Sequence, residues 1–464
     1  MKKTDFLPPK GAPRYSLLGG AAVVYACLFY NRFIYLPHHP KALLLLDSWP
    51  VILFLIGFAA LTFGFYAAEL ANWVLLIIFF VPLEISSPFS LFPSFSPIDY
   101  FCASALLAMT IKCNLKTIWK NVIDSFGWPS FLLWSAFLAW GLADAAYQHG
   151  NPRSPLRWGE FLFIYFLAFR AQLAQGDSFS RRLSYLLAGL GAVLGAVGLA
   201  QSMLSFGDYT AVTGTFEQHN VLGAFLSLCA FPAIRLIAQS PSSKVPRVVN
   251  GLIMIGLIAT FSRGAWLGFS TGVVYLLWFY RKQTVVRWQS VRRRSYTSMA
   301  LYIIVGLLLF VMIKSPSHLL GSSGRIFYWR AAERIFHQHP WVGLGPGNYD
   351  SKIKSFLSGQ GLHFYTDDQF YNHENEFWMH LHNLYLQIAV DYGGVGFTLW
   401  LLALLSMIRR AARKSAVGEG NFFYPFFMAA SIAFLIHNLV DILTVASFDL
   451  IFAGFMAAMA ATSF

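Results

Sequence analysis

Apolar runs near 20 residues recur from one end of this chain to the other, and nothing else in it constrains the fold as strongly. Each run is long enough to cross a bilayer core of roughly 30 Å as an α-helix. Inside hydrocarbon the backbone N–H and C=O groups must be satisfied within the protein, so such runs form helices and an open sheet edge is excluded. Charge content agrees. Only 12% of the 464 residues are charged, about half of the roughly 25% in a soluble domain. The expected class is an all-α polytopic membrane protein.

Spans are expected near 16–36, 48–67, 72–86, 98–112, 128–145, 158–173, 183–205, 219–237, 248–262, 264–281, 297–313, 382–408, 424–441 and 443–462. Because the weaker early runs can merge, the expectation is 12 to 14 transmembrane helices. Residues 1–313 hold the first eleven, 314–381 form a loop, and 382–464 hold the C-terminal helices. The net charge of +13 does not point to nucleic acid, because the basic residues sit in short segments between apolar runs. Lys2, Lys3, Lys10 and Arg14, then Lys112, Lys116 and Lys120, Arg181 and Arg182, Arg281 to Arg294, and Arg409 to Lys414 have the distribution of cytoplasmic loops. There they meet anionic lipid headgroups. Cys27, Cys102, Cys113 and Cys229 have neither metal-ligand spacing nor the look of a disulfide framework. The basic N-terminus lacks a convincing small-residue cleavage site, so the first run is expected to be an uncleaved span.

With the basic segments held in the cytoplasm, both termini are cytoplasmic. The segment GDYTAVTGTFEQHN (207–220), the turn TFSRGAW (260–266) and the loop 314–381 then face outward. Within the loop, Arg325, Trp329, Ala332 and Phe336 fall at helical spacing, which predicts an amphipathic helix from about Arg325 to His337. Pro340 and the glycines Gly343, Gly345 and Gly347 then impose turns. Arg330, Glu333 and Arg334 are spaced for salt pairing on the helix.

Arg263 lies between two closely spaced apolar runs, where its charge is costly, so it is a functional candidate. The ordinary alternative is an arginine that snorkels or bonds helix-end carbonyls. Arg325 opens the loop helix, where a cation opposes the macrodipole; an anion held by that N-terminus, Arg325 and Arg263 would account for it. Guanidinium groups bind phosphate oxygens in bidentate fashion, so two of them can neutralise a diphosphate. His382 stands at the same edge and can act as a base near neutral pH. His219, Asn220, Arg330 and Asn383 are candidate substrate contacts on that face. His437, Asn438 and Asp441 are expected to bond neighbouring helices. GLGPGNY lacks the Lys-Ser/Thr of a phosphate-binding loop, and no GxSxG occurs. The histidines at 337, 339, 363, 373 and 380 are irregularly spaced, without HExxH, so a metal site is not expected.

GTFEQHNVLGAF (214–225), TFSRGAWLGF (260–269), GRIFYWRAAERIFHQHPWVGLGPGNY (324–349) and HNLYLQIAVDYGGVGF (382–397) occur in the order seen in the O-antigen ligase and polymerase superfamily, which this chain resembles over roughly residues 200 to 400. The resemblance implies a GT-C type glycosyltransferase of the bacterial inner membrane. Such an enzyme moves a glycan from undecaprenyl diphosphate, on the periplasmic side, to an acceptor hydroxyl. It inverts the anomeric carbon and uses no metal or other cofactor. Ligases use lipid A-core as acceptor, polymerases another lipid-linked repeat unit, and a third group protein serine or threonine. Carried over, the family's arginine on the transmembrane turn falls on Arg263, the arginine opening the loop helix on Arg325, and the loop-end histidine on His382. The chain departs from the family at Glu217-Gln218-His219-Asn220, where relatives often have Gly-Asn-Pro-Asn and only Asn220 clearly matches.

The expected function is an O-antigen ligase acting on lipid A-core or another glycolipid, with His382 as base and Arg263 and Arg325 on the diphosphate. A polymerase is the main alternative, followed by a protein glycosyltransferase and, in a different class, a small-solute transporter. A transporter would place its polar site near the midplane, whereas the candidates here gather at one face.

Overall fold

The computed structural model describes residues 15–30, 49–83, 96–204, 212–216, 218–240, 242–281, 323–349, 381–415 and 423–461. The span expected at 297–313, Glu217, most of the 314–381 loop and its histidines 363, 373 and 380 lie outside the described residues. All regular elements among the described residues are helical. They run α1 Tyr15–Tyr30, α2 Trp49–Ala67, α3 Leu70–Phe80, α4 Pro97–Lys112, α5 Leu115–Phe126, α6 Trp128–Tyr147, α7 Arg153–Gln175, α8 Asp177–Leu204, α9 His219–Gln239, α10 Val245–Ala259, α11 Arg263–Arg281, α12 Ser323–Gln338, α13 Leu384–Ser415, α14 Tyr424–His437 and α15 Phe448–Ala461. Short 3₁₀ turns follow α3 and precede α15, at Val81–Leu83 and Leu443–Ala446.

The chain is an all-α polytopic membrane protein. Three helices, Asp177–Leu204, His219–Gln239 and Leu384–Ala412, are both long and apolar enough to cross a bilayer. A fourth span results if α5 and α6, bent by 104°, are taken together. Several other expected spans are helices of fewer than 18 residues, such as Val245–Ala259, which at 1.5 Å per residue covers about 22 Å. Others, α7 with 23 residues and α11 with 19, have the length but are not apolar enough, so fewer helices pass than the twelve to fourteen apolar runs suggest. α5 is a helix that the runs do not announce: Asn121, Ser125 and Phe126 turn inward while Leu115 and Trp119 are exposed.

The helices have two distinct ends. Lys112, Lys116, Lys120, Arg181, Arg182, Arg281, Arg409 and Arg410 gather at one of them, where Arg182 pairs with Glu69 and Arg410 donates to the Asp124 carbonyl at 2.8 Å. At the other end Arg153 pairs with Asp99 at 2.6 Å, Thr215 donates to the Pro82 carbonyl at 2.8 Å, and Arg157 donates to Ser447 at 3.3 Å. α12 packs on α13 at this second end, hereafter the loop end. Between the ends the core is apolar and strongly aromatic, with Trp134 stacked on Trp158 and Trp400 edge-on to Trp158.

The expected loop helix is present, starting two residues earlier and ending one later than its spacing predicts. Ala331, Ala332 and Ile335 form its buried face, packed with Leu344, Tyr349, Leu381 and Val390 in a small core separate from the main one. The glycine turns that follow have a defined purpose. α13 breaks at Gly393, whose φ of 67° and ψ of −176° no L side chain adopts comfortably. A break leaves orphan carbonyls before it and orphan amides after it. Leu344 N–H donates to the Val390 carbonyl at 2.9 Å, Gly345 N–H to Asp391 at 3.0 Å, and the Trp140 indole to Tyr392 at 3.0 Å. On the other side the Gly394 N–H reaches the Pro340 carbonyl at 2.7 Å. Gly343, Gly345 and Gly347 all have positive φ, which lets the 340–345 backbone enter the gap.

Candidate active site

His382 begins where the small core ends. Asn383 caps α13: its Oδ1 accepts the Leu386 N–H at 3.0 Å, and its Nδ2 donates to the Leu439 carbonyl at 2.9 Å. The Leu384 N–H donates to the Asn438 carbonyl at 3.0 Å, so the start of α13 is strapped to the turn after α14. Asn438, fully buried, fixes that turn by accepting the Leu443 N–H at 2.9 Å and donating to the Phe434 carbonyl. Asn383 thus has a structural task, and its amide is buried rather than offered to a ligand.

The strapped turn carries Asp441, whose Oδ1 lies 3.3 Å from His382 Nδ1. The imidazole side chain is 25% exposed and the carboxylate only 6%, so the ring reaches outward while its partner is enclosed. Burial alone would raise the Asp441 pKa. The His382 hydrogen bond, the charges of His437 and His382 and the Ile442 N–H outweigh it and take the group down to about 2. Asp441 is therefore ionised at neutral pH and accepts a proton from Nδ1. In the neutral form of the ring, Nε2 is then the nitrogen with the lone pair. His382 itself has a φ of 46°, the left-handed region that L residues seldom occupy.

Arg263 is the first residue of α11 and is exposed. A tight reversal delivers it there: Phe261 takes a φ of 50°, Thr260 Oγ1 bonds the Leu257 carbonyl at 2.7 Å, and Trp266 donates to the same carbonyl at 3.0 Å. Gly264 packs against the His437 ring so closely that an added Cβ would stand 2.6 Å from the imidazole. His437 acts on the Asp441 charge, so the start of α11 and the His382–Asp441 pair share one neighbourhood.

The other sequence candidates are placed with varying closeness. Arg325 lies in the first turn of α12. His219 and Asn220 open α9, half-buried, at the loop end, where α9 meets the Leu443–Ala446 turn. Arg330 is exposed on α12, and among the described residues neither it, Glu333 nor Arg334 forms the salt pair their spacing suggests. His337 and His339 are exposed, and among the described residues no three His, Cys, Asp or Glu side chains gather as metal ligands would. Asp441 is expected from the sequence only to bond a neighbouring helix, and sequence reasoning missed that its partner there is His382. Its sign was an acidic residue beside a His-Asn pair at the end of an apolar helix, a pattern that helix-end bonding explains equally well.

Comparison with known proteins bears on this arrangement. Residues 248–401 match the O-antigen ligase family. The matched segment contains Arg263, Arg325, His382 and Asn383, while His219, Asn220 and Asp441 lie outside it. The chain is also similar to the O-antigen ligase of Pseudomonas aeruginosa strain PAO1, at 24% identity over 280 residues. That alignment covers 59% of this chain and 63% of the relative's length. Together the two findings support the resemblance to the O-antigen ligase superfamily.

Proposed function

We propose that the chain is a glycosyltransferase of the O-antigen ligase type, with a GT-C fold, in the bacterial inner membrane. It moves an O-antigen-type glycan from undecaprenyl diphosphate to lipid A-core on the periplasmic face, inverting the anomeric centre without a metal ion. The observation that carries this reading is the pairing of His382 with a buried, ionised Asp441 at the end of the molecule where α11 presents Arg263.

The chemistry follows from those groups. Transfer from a lipid diphosphate needs the acceptor hydroxyl deprotonated as it attacks, and Nε2 of His382 takes that proton. Asp441 holds the ring and stabilises the imidazolium that forms. Charge grows on the departing diphosphate, and preorganised cations stabilise it best in a dry site. Arg263 and Arg325 are assigned to it, helped by the positive ends of α11 and α12. His219 and Asn220 are placed along the donor or acceptor glycan. The loop of residues 314–381, to which α12 belongs, is assigned as the periplasmic cap of the site, between the helices of 1–313 and those of 382–464.

Glycan transfer in proteoliposomes tests the proposal, with an undecaprenyl-diphosphate glycan as donor and lipid A-core and a second lipid-linked repeat unit as competing acceptors. Product on lipid A-core that disappears in His382→Ala and Arg263→Ala is the expected result. A ladder of longer lipid-linked chains makes the protein a polymerase. Absence of donor binding by the folded protein removes the enzyme assignment.

A further inference from the structure

Leu381, the residue before the candidate base, is gripped from both sides. Its carbonyl accepts the Trp329 indole N–H at 3.0 Å, and its own N–H donates to Gln387 Oε1 at 3.1 Å. Its side chain is fully buried in the small core beneath α12. Gln387 is fixed in turn by donating to Asp391 at 3.0 Å. A half-buried indole needs an acceptor, and that alone would explain one of these bonds. It does not explain why both polar groups of a single residue are taken by side chains, nor why the next residue is driven to a φ of 46°. Such conformations persist where the surroundings over-determine them, and here the surroundings are these two bonds, the Asn383 cap and the Leu384 strap.

The direction in which a side chain leaves the backbone is set by the peptide before it. Fixing the Leu381 carbonyl therefore fixes how the imidazole projects toward Asp441. Trp329 does this from α12, the helix whose first turn contains Arg325 four residues earlier. We propose that Trp329 is a positioning residue: its N–H orients the Leu381–His382 peptide, and so the base, and ties that orientation to the helix bearing the diphosphate arginine. The proposal rests on the glycosyl-transfer reading above. Trp329 acts through His382 and touches no reacting atom, so its removal slows the chemical step and leaves donor binding alone.

The test compares full-length wild type, Trp329→Phe, Trp329→Leu and Gln387→Leu in proteoliposomes with the same donor and lipid A-core, measuring kcat, the KM for donor and the Tm. Trp329→Phe keeps most of the ring and loses the N–H. It is expected to lower kcat about tenfold or more, within the range that a small misplacement of a reacting group costs, with KM for donor and Tm close to wild type. Trp329→Leu is expected to match Trp329→Phe in kcat, and Gln387→Leu to show the same split. Wild-type kcat in Trp329→Phe, a loss that tracks ring volume, or a rise in KM equal to the fall in kcat overturns the proposal. If Trp329→Phe does not fold, Gln387→Leu decides by the same split. A wild type that transfers no glycan brings down the glycosyl-transfer reading itself, whereas an active wild type with unchanged variants brings down only the role of Trp329.

Discussion

The Asp441 carboxylate decides what His382 can do. Held ionised at neutral pH, it keeps a proton on Nδ1, so that in the neutral ring the lone pair lies on Nε2. His382→Ala should lower transfer by about 10²–10⁴-fold, the usual worth of a general base. Asp441→Asn should lower it by up to about 10⁴-fold, because an amide in place of the carboxylate favours the wrong tautomer; initial rates of glycan transfer measure both. The same carboxylate links stability to pH. Its folded pKa of about 2 lies below its ordinary 3.8, so the stabilisation is complete above pH 4 and is lost as pH falls through 2. Thermal melting in detergent should show a decline over that window, worth about 2 kcal/mol, that Asp441→Asn flattens. His382 was legible as a candidate because an ionisable residue opening an apolar helix is conspicuous. Asp441 was not, because it lies 59 residues further along and only the folded turn brings the two together.

Among the elements, the break in α13 has the clearest consequence. Gly393→Ala puts a Cβ against the Trp341 carbonyl at a φ of 67°, so it should cost at least about 1–3 kcal/mol and lower the Tm. Gly264→Ala pushes α11 away from His437. It should cost about 1–3 kcal/mol as an overpacked contact and reduce transfer as well, because Arg263 moves with the helix. Measuring Tm and transfer together separates the two variants. The turns at Gly343, Gly345 and Gly347 could be read from composition. Their docking into α13 could not, since residues 382–408 form one apolar stretch whose periodicity runs straight through Gly393.

Across the whole molecule the two ends differ in chemistry, and the proposed orientation places the loop end in the periplasm. Trp341 is 72% exposed at that end and Lys116 is exposed at the other. A cysteine replacing Trp341 should react with an impermeant maleimide in cells whose outer membrane alone is opened. One replacing Lys116 should react only after the inner membrane is breached. All four native cysteines are buried, so background labelling should be low. The reverse pattern inverts the orientation. The membrane class was legible because hydropathy is additive along the chain. The bend between α5 and α6 was not, because it depends on Gly127, at a φ of 71°, turning the chain at an interface.

The distance along the chain between His382 and Asp441 also bears on biosynthesis. Helices enter a membrane in the order they are made, and α11, α12 and the start of α13 precede α14. A nascent chain therefore holds Arg263, Arg325 and His382 before it holds the turn that carries Asp441. Under the proposed function the arginines assigned to the diphosphate are made before the carboxylate that orients the base, so the proposed site is complete only once the α14–α15 hairpin is in place.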